Sequence, residues 1–502
     1  MKVDYAKFPE IPPGCSQNYN KKTKLYQVYR ERRERDSETK QIRIKRDTIG
    51  SIRDGVFRFG ENYRLREENK RLIQENTLYK EKLERAEAIQ SLDKGIEANA
   101  KAVCQHIGQA VEESKLDSRK YKSALIPVKA LATAALLTVL TGPTDAVLIQ
   151  DHLMQNKAFF KAYMPELVLE NLSHDTVRRV LLLARTDSME SFFTKLTAPM
   201  VQELSGRILN VDGQAVRGSG RKSADNPEKH GVQLMLNVFD SYNRACLASK
   251  IIPKKTNEMT VGPHLLEKLN IDGCIVTADA MNCQVRFVET VLGKGADYLL
   301  SLKGNQDRTL KEIMYQFSTA HESNLSTYTT EPELNHGRIE QREISILAGR
   351  FLSKELYMKW RGLAGGCVVR MSKSTTEKKT GVSTREVSYF ISSLCPETES
   401  AESIYEALRS HWNVENNLHY MLDMFWRQDQ MRACNPRYIS NCSMLNKLAL
   451  TLLENYRFWL WNTGRIESPE QISIRTLQSR CQDPKVALEC LAVGFGLTPK
   501  AL

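Results

Sequence analysis

The chain has 502 residues and a formal net charge of +12, with a pI of about 9.0. That length allows two to four domains with sizeable cores, and the charge favours a polyanionic partner, most simply nucleic acid. The 11 cysteines are widely spaced without a Cys-x-x-Cys pair, which argues against a disulfide framework or thiolate zinc site and suits a reducing cytoplasm.

The first residues (MKVDYAKFPEIPPG) lack an apolar signal core. The longest apolar stretch, ALATAALLTVL at 130–140, is too short to span a bilayer and reads as a buried helix. Residues 1–20, rich in Pro and polar side chains, read as a flexible tail. Residues 21–62 are strongly basic. Alternation in QIRIKRDTIG, with DSETK as a turn, predicts a small antiparallel β module, either a contact for DNA phosphates or a solvated charged hairpin. In residues 63–95, Leu65, Asn69, Leu72, Asn76, Tyr79, Leu83 and Ala86 recur at spacings of four and three. With Leu65 and Leu72 at d, Asn69 and Asn76 fall at a, where a buried Asn favours a parallel two-stranded coil in register. The pattern lasts about four heptads and predicts a coiled coil that forms a homodimer; a lone charged helix on its own chain is the alternative.

Residues 96–203 have helical spacing and are assigned to a helical domain associated with DNA binding. Residues 204–308 alternate: RILNVDG is a strand ending in Asp212, VQLMLNVFDSYNRACLASKII a hairpin turning at Asp240–Asn243, and TVGPHLLEKL a helix. CIVTADA is a strand, MNCQVRFVETVLGKG a helix and DYLLSLKGNQ a further strand. Residues 309–395 read as a β-rich insertion, 396–462 as an acid-bearing helix followed by an apolar one, and 463–502 as a helical tail.

The apolar run CIVT ends in a carboxylate, Asp279. One reading makes it the N-cap of the next helix. The other makes it a metal ligand, because sites in open α/β sheets form beyond the carboxyl ends of strands and Asp212 is expected at such an end too. Two adjacent carboxylates repel unless a cation lies between them, and hard oxygen donors suit Mg²⁺ or Mn²⁺ and phosphoryl transfer. The best third donor is Glu415, in RSHWNVENNLHYMLDMF. His411, Glu415 and His419 are spaced by four and share a helical face. A zinc site on those three departs from the His-Glu-x-x-His pattern and leaves both aspartates unexplained.

The motifs NVDGQAVRGS, KKTNEM, VTADAMNCQ, ADYLLSLKGNQ, NHGRIEQRE, SYFISSL and HWNVENNLHYMLD come in this order. Together, over roughly residues 126–460, they resemble bacterial insertion-sequence transposases of the DDE class, in the H-repeat-associated branch. The resemblance implies an α/β fold with an RNase H-like catalytic core and an all-β insertion before the last catalytic helix. A helical N-terminal domain and the N-terminal coiled coil precede that core. It implies Asp212, Asp279 and Glu415 as the catalytic, metal-binding triad with two Mg²⁺ or Mn²⁺ ions. The substrate is then double-stranded DNA, both the inverted-repeat ends of the element and the target, cut and joined without a covalent intermediate.

Arg217 in VRGS, Lys303 and Asn305 in LKGNQ, and Arg338 in HGRIEQR are expected to contact the DNA backbone. The plainer readings are a solvated Lys303 and an Arg338 paired with Glu340 or Glu343. Trp412 is expected to pack on the sheet rather than stack on a base. Two departures stand out. Leu422 occupies the place of the Lys in the Tyr–Arg–Glu–Lys signature of related transposases, and after Phe425 one acid of the usual Glu-Asp pair is replaced, leaving Trp426, Arg427, Gln428 and Asp429. A non-enzymatic alternative is a domesticated DNA-binding dimer with a relic nuclease core. The heptads yield the first test: a peptide of residues 60–95 is expected to sediment as a dimer, and a monomer would remove the coiled coil.

Overall fold

The computed structural model describes residues 11–12, 15–35, 42–54, 56–119, 126–142, 144–164, 166–200, 204–220, 232–253, 258–433 and 435–497. The chain divides into two units, Met1–Lys94 and Gly95–Leu502.

In the first unit, β1 (Ser16–Asn20), β2 (Leu25–Arg35), β3 (Ile42–Arg53) and β4 (Val56–Phe59) form an antiparallel sheet in chain order. Alternation turns Val28, Ile52 and Phe57 onto a small core shared with Ile11, which Ile49 joins at the register shift between Val28 and Tyr29, while Arg30, Lys45 and Arg46 stay exposed. The expected tail is therefore shorter: Ser16–Asn20 pairs with Leu25–Tyr29, because Tyr19 and Tyr26 pack ring on ring across the hairpin at 4.8 Å. The DSETK turn lies outside the described residues. Helix α1 (Glu61–Glu113) carries the heptads. On it Leu72 and Ile73 are 50% and 65% exposed and Asn76 is exposed. The side chains of Leu65, Asn69, Tyr79, Leu83 and Ala86 lie outside the described set.

The second unit begins with the end of α1 and continues through α2 (Val128–Val139), α3 (Ala146–Gln155), α4 (Lys157–Tyr163), α5 (His174–Leu183) and α6 (Thr186–Thr197). Asp145 and Ser173 cap α3 and α5 by accepting first-turn backbone N–H groups. There follow β5 (Ile208–Val216), β6 (Gln233–Asp240), β7 (Ala245–Ile252), α7 (Glu258–Glu267), β8 (Ile275–Ala278), α8 (Val285–Gly293), β9 (Asp297–Leu302) and α9 (Asp307–Thr319). Then come β10 (Leu325–Thr329), β11 (Glu333–Asn335), β12 (Arg338–Ala348), α10 (Lys354–Lys359), β13 (Cys367–Glu377) and β14 (Ser383–Ser392). The chain closes with α11 (Ala401–Ser410), α12 (Trp412–Val414), a π-turn (Glu415–His419), α13 (Tyr420–Phe425), α14 (Pro436–Asn462), α15 (Ile474–Arg480) and α16 (Pro484–Gly494).

One mixed sheet organises this unit, in the order β10-β12-β13-β14-β9-β8-β5-β6-β7, with β11 beside β12. The β5–β8 and β8–β9 pairs are parallel; β6 and β7 extend the sheet antiparallel on one side and β14 on the other. Leu209 and Val211 of β5 enter one core with Val276, Ala278, Tyr298 and Leu300 and side chains of α7 and α8. The intervening Asn210 and Asp212 therefore face the opposite side. α14 is buried along most of its length among α2, α5, α6 and α16, and it carries polar side chains such as Asn441, Lys447 and Glu454 into that core. Among the described residues no helix is long and apolar enough to cross a membrane.

Three expectations are corrected here. Asp212 is not at a strand end: β5 runs on to Val216, because the hairpin with β6 continues to Val216↔Gln233 after β8 has stopped at Ala278. The all-β insertion that the resemblance implies is not found in residues 309–395, since α10 and most of α9 belong to them. Their strands also join the core sheet through β14, which pairs Tyr389↔Leu302 to Ser392↔Leu299 and covers an edge of β9 that would otherwise be open. Thirdly, the helix of residues 401–425 is interrupted by the π-turn. A test of the packing is Leu448→Ala in α14, where Leu448 is fully buried; it should lower unfolding free energy by about 2–5 kcal/mol in urea denaturation.

Candidate active site

The parallel ladder of β5 on β8 ends at Val211↔Ala278, so Asp212 and Asp279 are the next residues on two neighbouring strands, at one level and on one face. Both are partly accessible. Asp279 also caps: its Oδ1 accepts from Asn282 N at 3.3 Å and from Asn282 Nδ2 at 3.1 Å. The loop is tied down further by Asn305, whose Nδ2 donates to the Ala280 carbonyl at 2.6 Å, and by Gln306 Nε2, which donates to the Cys283 carbonyl at 3.1 Å.

The segment from α11 to α13 lies over the same face and is pinned to it by two histidines. Thr277 of β8 accepts from Asn210 Nδ2 at 2.7 Å, so its hydroxyl proton is free to go to His411 Nδ1 at 2.9 Å. About two turns of backbone later, Asn237 Nδ2 meets His419 Nε2 at 3.2 Å, and His419 Nδ1 lies 3.7 Å from Asp212 Oδ2. Burial lowers the pKa of both imidazoles, against the pull of Asp279 in the case of His411. For His419, where Lys447 and His411 add repulsion to burial, it falls to about 3. Both rings are neutral at neutral pH. Glu415 stands between them, with its side chain in solvent. The backbone around it is the π-turn, closed by the Tyr420 N–H to the Glu415 carbonyl; such single π-turns are frequent at functional sites.

The donor set fits a hard divalent cation in kind: two carboxylates level on adjacent strands, a third on the helix above, and neutral imidazoles around them. Among the described residues, no three His, Cys, Asp or Glu side chains converge into a ready metal cluster. This holds for Asp212, Asp279 and Glu415 as for His411, Glu415 and His419, whose rings each give one nitrogen to the sheet, His411 Nδ1 to Thr277 and His419 Nε2 to Asn237.

The expected DNA contacts scatter around this face. Lys303 is exposed beside the Asp279 loop. Asn305 is exposed too, although its amide is committed to Ala280. Arg338 is exposed at the start of β12; Glu340 pairs instead with Arg342 at 2.6 Å and Lys373 at 2.9 Å, and Glu343 with Arg385 at 3.5 Å. Arg217 is 81% exposed, with Nε 3.6 Å from Asp429 Oδ2 and its backbone N–H on Asp429 Oδ1 at 3.0 Å. Trp412 does not pack on the sheet as expected: it is 54% exposed, because the helix turns Val414 and Leu418 inward instead.

The departures after Phe425 have local explanations. Gln428 is buried and accepts from Ser443 Oγ at 3.1 Å, where a carboxylate would be costly without a cation. Asp429 holds the start of the VRGS turn. Gly218 in that turn has no room for a side chain, since a Cβ would lie 2.4 Å from the Met431 carbonyl oxygen and 2.6 Å from that of Asp429.

Comparison with known proteins shows the family. The transposase DDE domain family matches residues 203–452, a span that contains Asp212, Asp279 and Glu415. "Putative transposase YncI" of Escherichia coli O157:H7 is 29% identical over 327 residues, 64% of this chain and 79% of that one. "H repeat-associated putative transposase YhhI" of Escherichia coli K12 is 28% identical over 284 residues, 56% and 73% of the two chains. This chain belongs to the bacterial DDE transposases of the H-repeat type. A solved piggyBac transposase synaptic complex with hairpin DNA aligns over 77% of the chain at 11% identity and a TM-score of 0.36, too slight a likeness to argue from.

In this H-repeat-type transposase the sequence reading missed the polar side chains that lead to His411 and His419: Asn210, Thr277, Asn237, Ser249 and Lys447. The signal was present as single polar residues inside apolar runs, the Asn of QLMLNVF and the Lys of MLNKLAL. Asp423, one turn beyond His419, gives a pH test. Burial and then Asp429 raise its pKa to about 6. A carboxyl with a raised folded-state pKa binds more protons folded than unfolded, so its contribution to stability falls as pH rises from about 4 to about 6. Asp423→Asn should therefore raise Tm at pH 7, with the gain vanishing near pH 4 in thermal scans.

Proposed function

We propose that this protein is a DNA transposase that binds the ends of its own insertion sequence and catalyses metal-dependent strand cleavage and strand transfer. The observation that carries the reading is the level pair Asp212 and Asp279 on parallel neighbours β5 and β8, under a helix that bears Glu415 between two sheet-anchored histidines. The order β7-β6-β5-β8-β9, three antiparallel strands and then two parallel additions, supports an RNase H-like core.

Asp212, Asp279 and Glu415 would hold Mg²⁺ or Mn²⁺, and the bound ions would supply Lewis-acid stabilisation of the charge that builds on the phosphate in an in-line displacement. The two aspartates sit on a rigid sheet, and the cap at Asn282 fixes one oxygen of Asp279. Glu415 is carried on a turn whose backbone departs from regular helix. Lys303, Asn305, Arg217 and Arg338 line the approach as DNA-backbone contacts, a role their exposure and the net charge of +12 support. The exposed Leu72 and Ile73 of α1 support pairing of two chains through the heptads.

The deciding assay incubates the full-length protein with DNA carrying the inverted repeats that flank its gene, with Mg²⁺ or with EDTA. Cuts at the repeat ends are expected only with Mg²⁺. Asp212→Asn, Asp279→Asn and Glu415→Gln should each abolish cleavage while DNA binding by gel shift persists. Substantial cutting by one variant removes that residue from the triad, and binding without cutting in the wild type favours a non-catalytic DNA-binding protein.

A further inference from the structure

A row of buried polar groups runs across three strands to Asp212. Asp212 on β5 is opposite Asn237 on β6, and Asn237 is opposite Ser249 on β7, so the three share one face of the sheet. The row is rooted in Lys447 of α14, a fully buried lysine whose Nζ donates to Ser249 Oγ at 2.9 Å. An ammonium has donors and no acceptor, so Ser249 accepts from Lys447. Its hydroxyl proton goes on to Asn237 Oδ1, at 2.8 Å. That turns the NH₂ end of Asn237 towards His419 Nε2, at 3.2 Å. A ring nitrogen that accepts from an amide carries no proton, so the proton of the neutral imidazole sits on Nδ1. That nitrogen is the one 3.7 Å from Asp212 Oδ2.

We infer that His419 is a positioning residue for the metal site, locked by the Lys447–Ser249–Asn237 row as the Nδ1–H tautomer so that it steers the carboxylate of Asp212. The inference rests on Asp212 being a metal ligand, as proposed above. At 3.7 Å the contact is beyond hydrogen-bond length; it closes by rotation of the carboxylate, and site hydrogen bonds are commonly long before ligands bind. Outer partners of this sort orient a ligand's lone pairs, and their loss typically costs about 10–100-fold in metal affinity. The buried Lys447 is otherwise hard to account for, since Met235 Sδ at 3.6 Å is its other neighbour of note and no carboxylate is paired with it among the described residues.

The test uses the full-length, metal-free protein and Mn²⁺ alone as probe. Side-chain ¹⁵N NMR should find His419 protonated on Nδ1 and bare on Nε2; the opposite tautomer overturns the inference whatever the metal does. Titration calorimetry with Mn²⁺ then compares two variants. His419→Asn keeps an N–H near the place of Nδ1 and should bind close to wild type. His419→Gln moves the N–H to the place of Nε2 and should lose about 10–100-fold. Equal affinities in the two variants, whether high or low, overturn the positioning role. Ser249→Ala, two bonds removed from the ring, should leave the fold intact by circular dichroism and yet mix the tautomers; an unchanged tautomer removes the row as its cause. A wild type that binds no Mn²⁺ overturns the metal-site reading and the positioning role with it, whereas the tautomer result alone overturns only the latter.

Discussion

The second unit depends on where the parallel pairing of β5 with β8 stops. Because it stops at Val211↔Ala278, two carboxylates are delivered side by side at the edge of a rigid sheet, with their strands' apolar residues locked into the core beneath. Like charges so placed repel, and the surroundings are arranged to tolerate this: neutral imidazoles rather than further acids face them, and one oxygen of Asp279 is engaged by Asn282. The helix above is held by polar side chains of the sheet face. The aspartates are thus kept close by backbone pairing, not by any attraction between their own side chains.

Much of this was legible in the sequence, for a simple reason. Strands such as CIVTA and DYLLSL are short, apolar and bounded by turn residues, so their existence follows from local pattern. The spacing of His411, Glu415 and His419 by four implied one helical face, but the π-turn shifts the phase: both histidines bond to the sheet and Glu415 is exposed. What was hidden depended on partners distant in the chain. β5 outruns RILNVDG because β6 continues to pair with it. Trp412 lies outward because Val414 and Leu418 take the inward positions. The strands of 325–392 read locally as a separate β body, yet β14 completes the core sheet, and no local pattern specifies which edge a strand will join. The polar row from Lys447 through His419 to Asp212 joins residues on five elements far apart in the chain.

Gln428 and Asp429 illustrate how a departure from a family pattern can be absorbed. One side chain has become an uncharged buried link to Ser443; the other still braces the turn at Arg217, whose Gly218 fits against the carbonyls of Asp429 and Met431 only because it lacks a side chain. The two positions do different jobs, so loss of charge at one does not disturb the other.

The π-turn at Glu415–His419 also makes the last helix a joint between two registers. One residue more than a regular turn is accommodated there, so the residues before it and after it keep different angular phases. Upstream, Ile404 and Leu408 answer to the sheet; downstream, Leu422 and Trp426 answer to the helical core, where the Trp426 indole donates to the Val139 carbonyl at 3.0 Å. Removing a single residue from the turn would restore an even helix and rotate one half against the other by about 100°. A one-residue deletion within the joint would therefore set the two sets of contacts against each other.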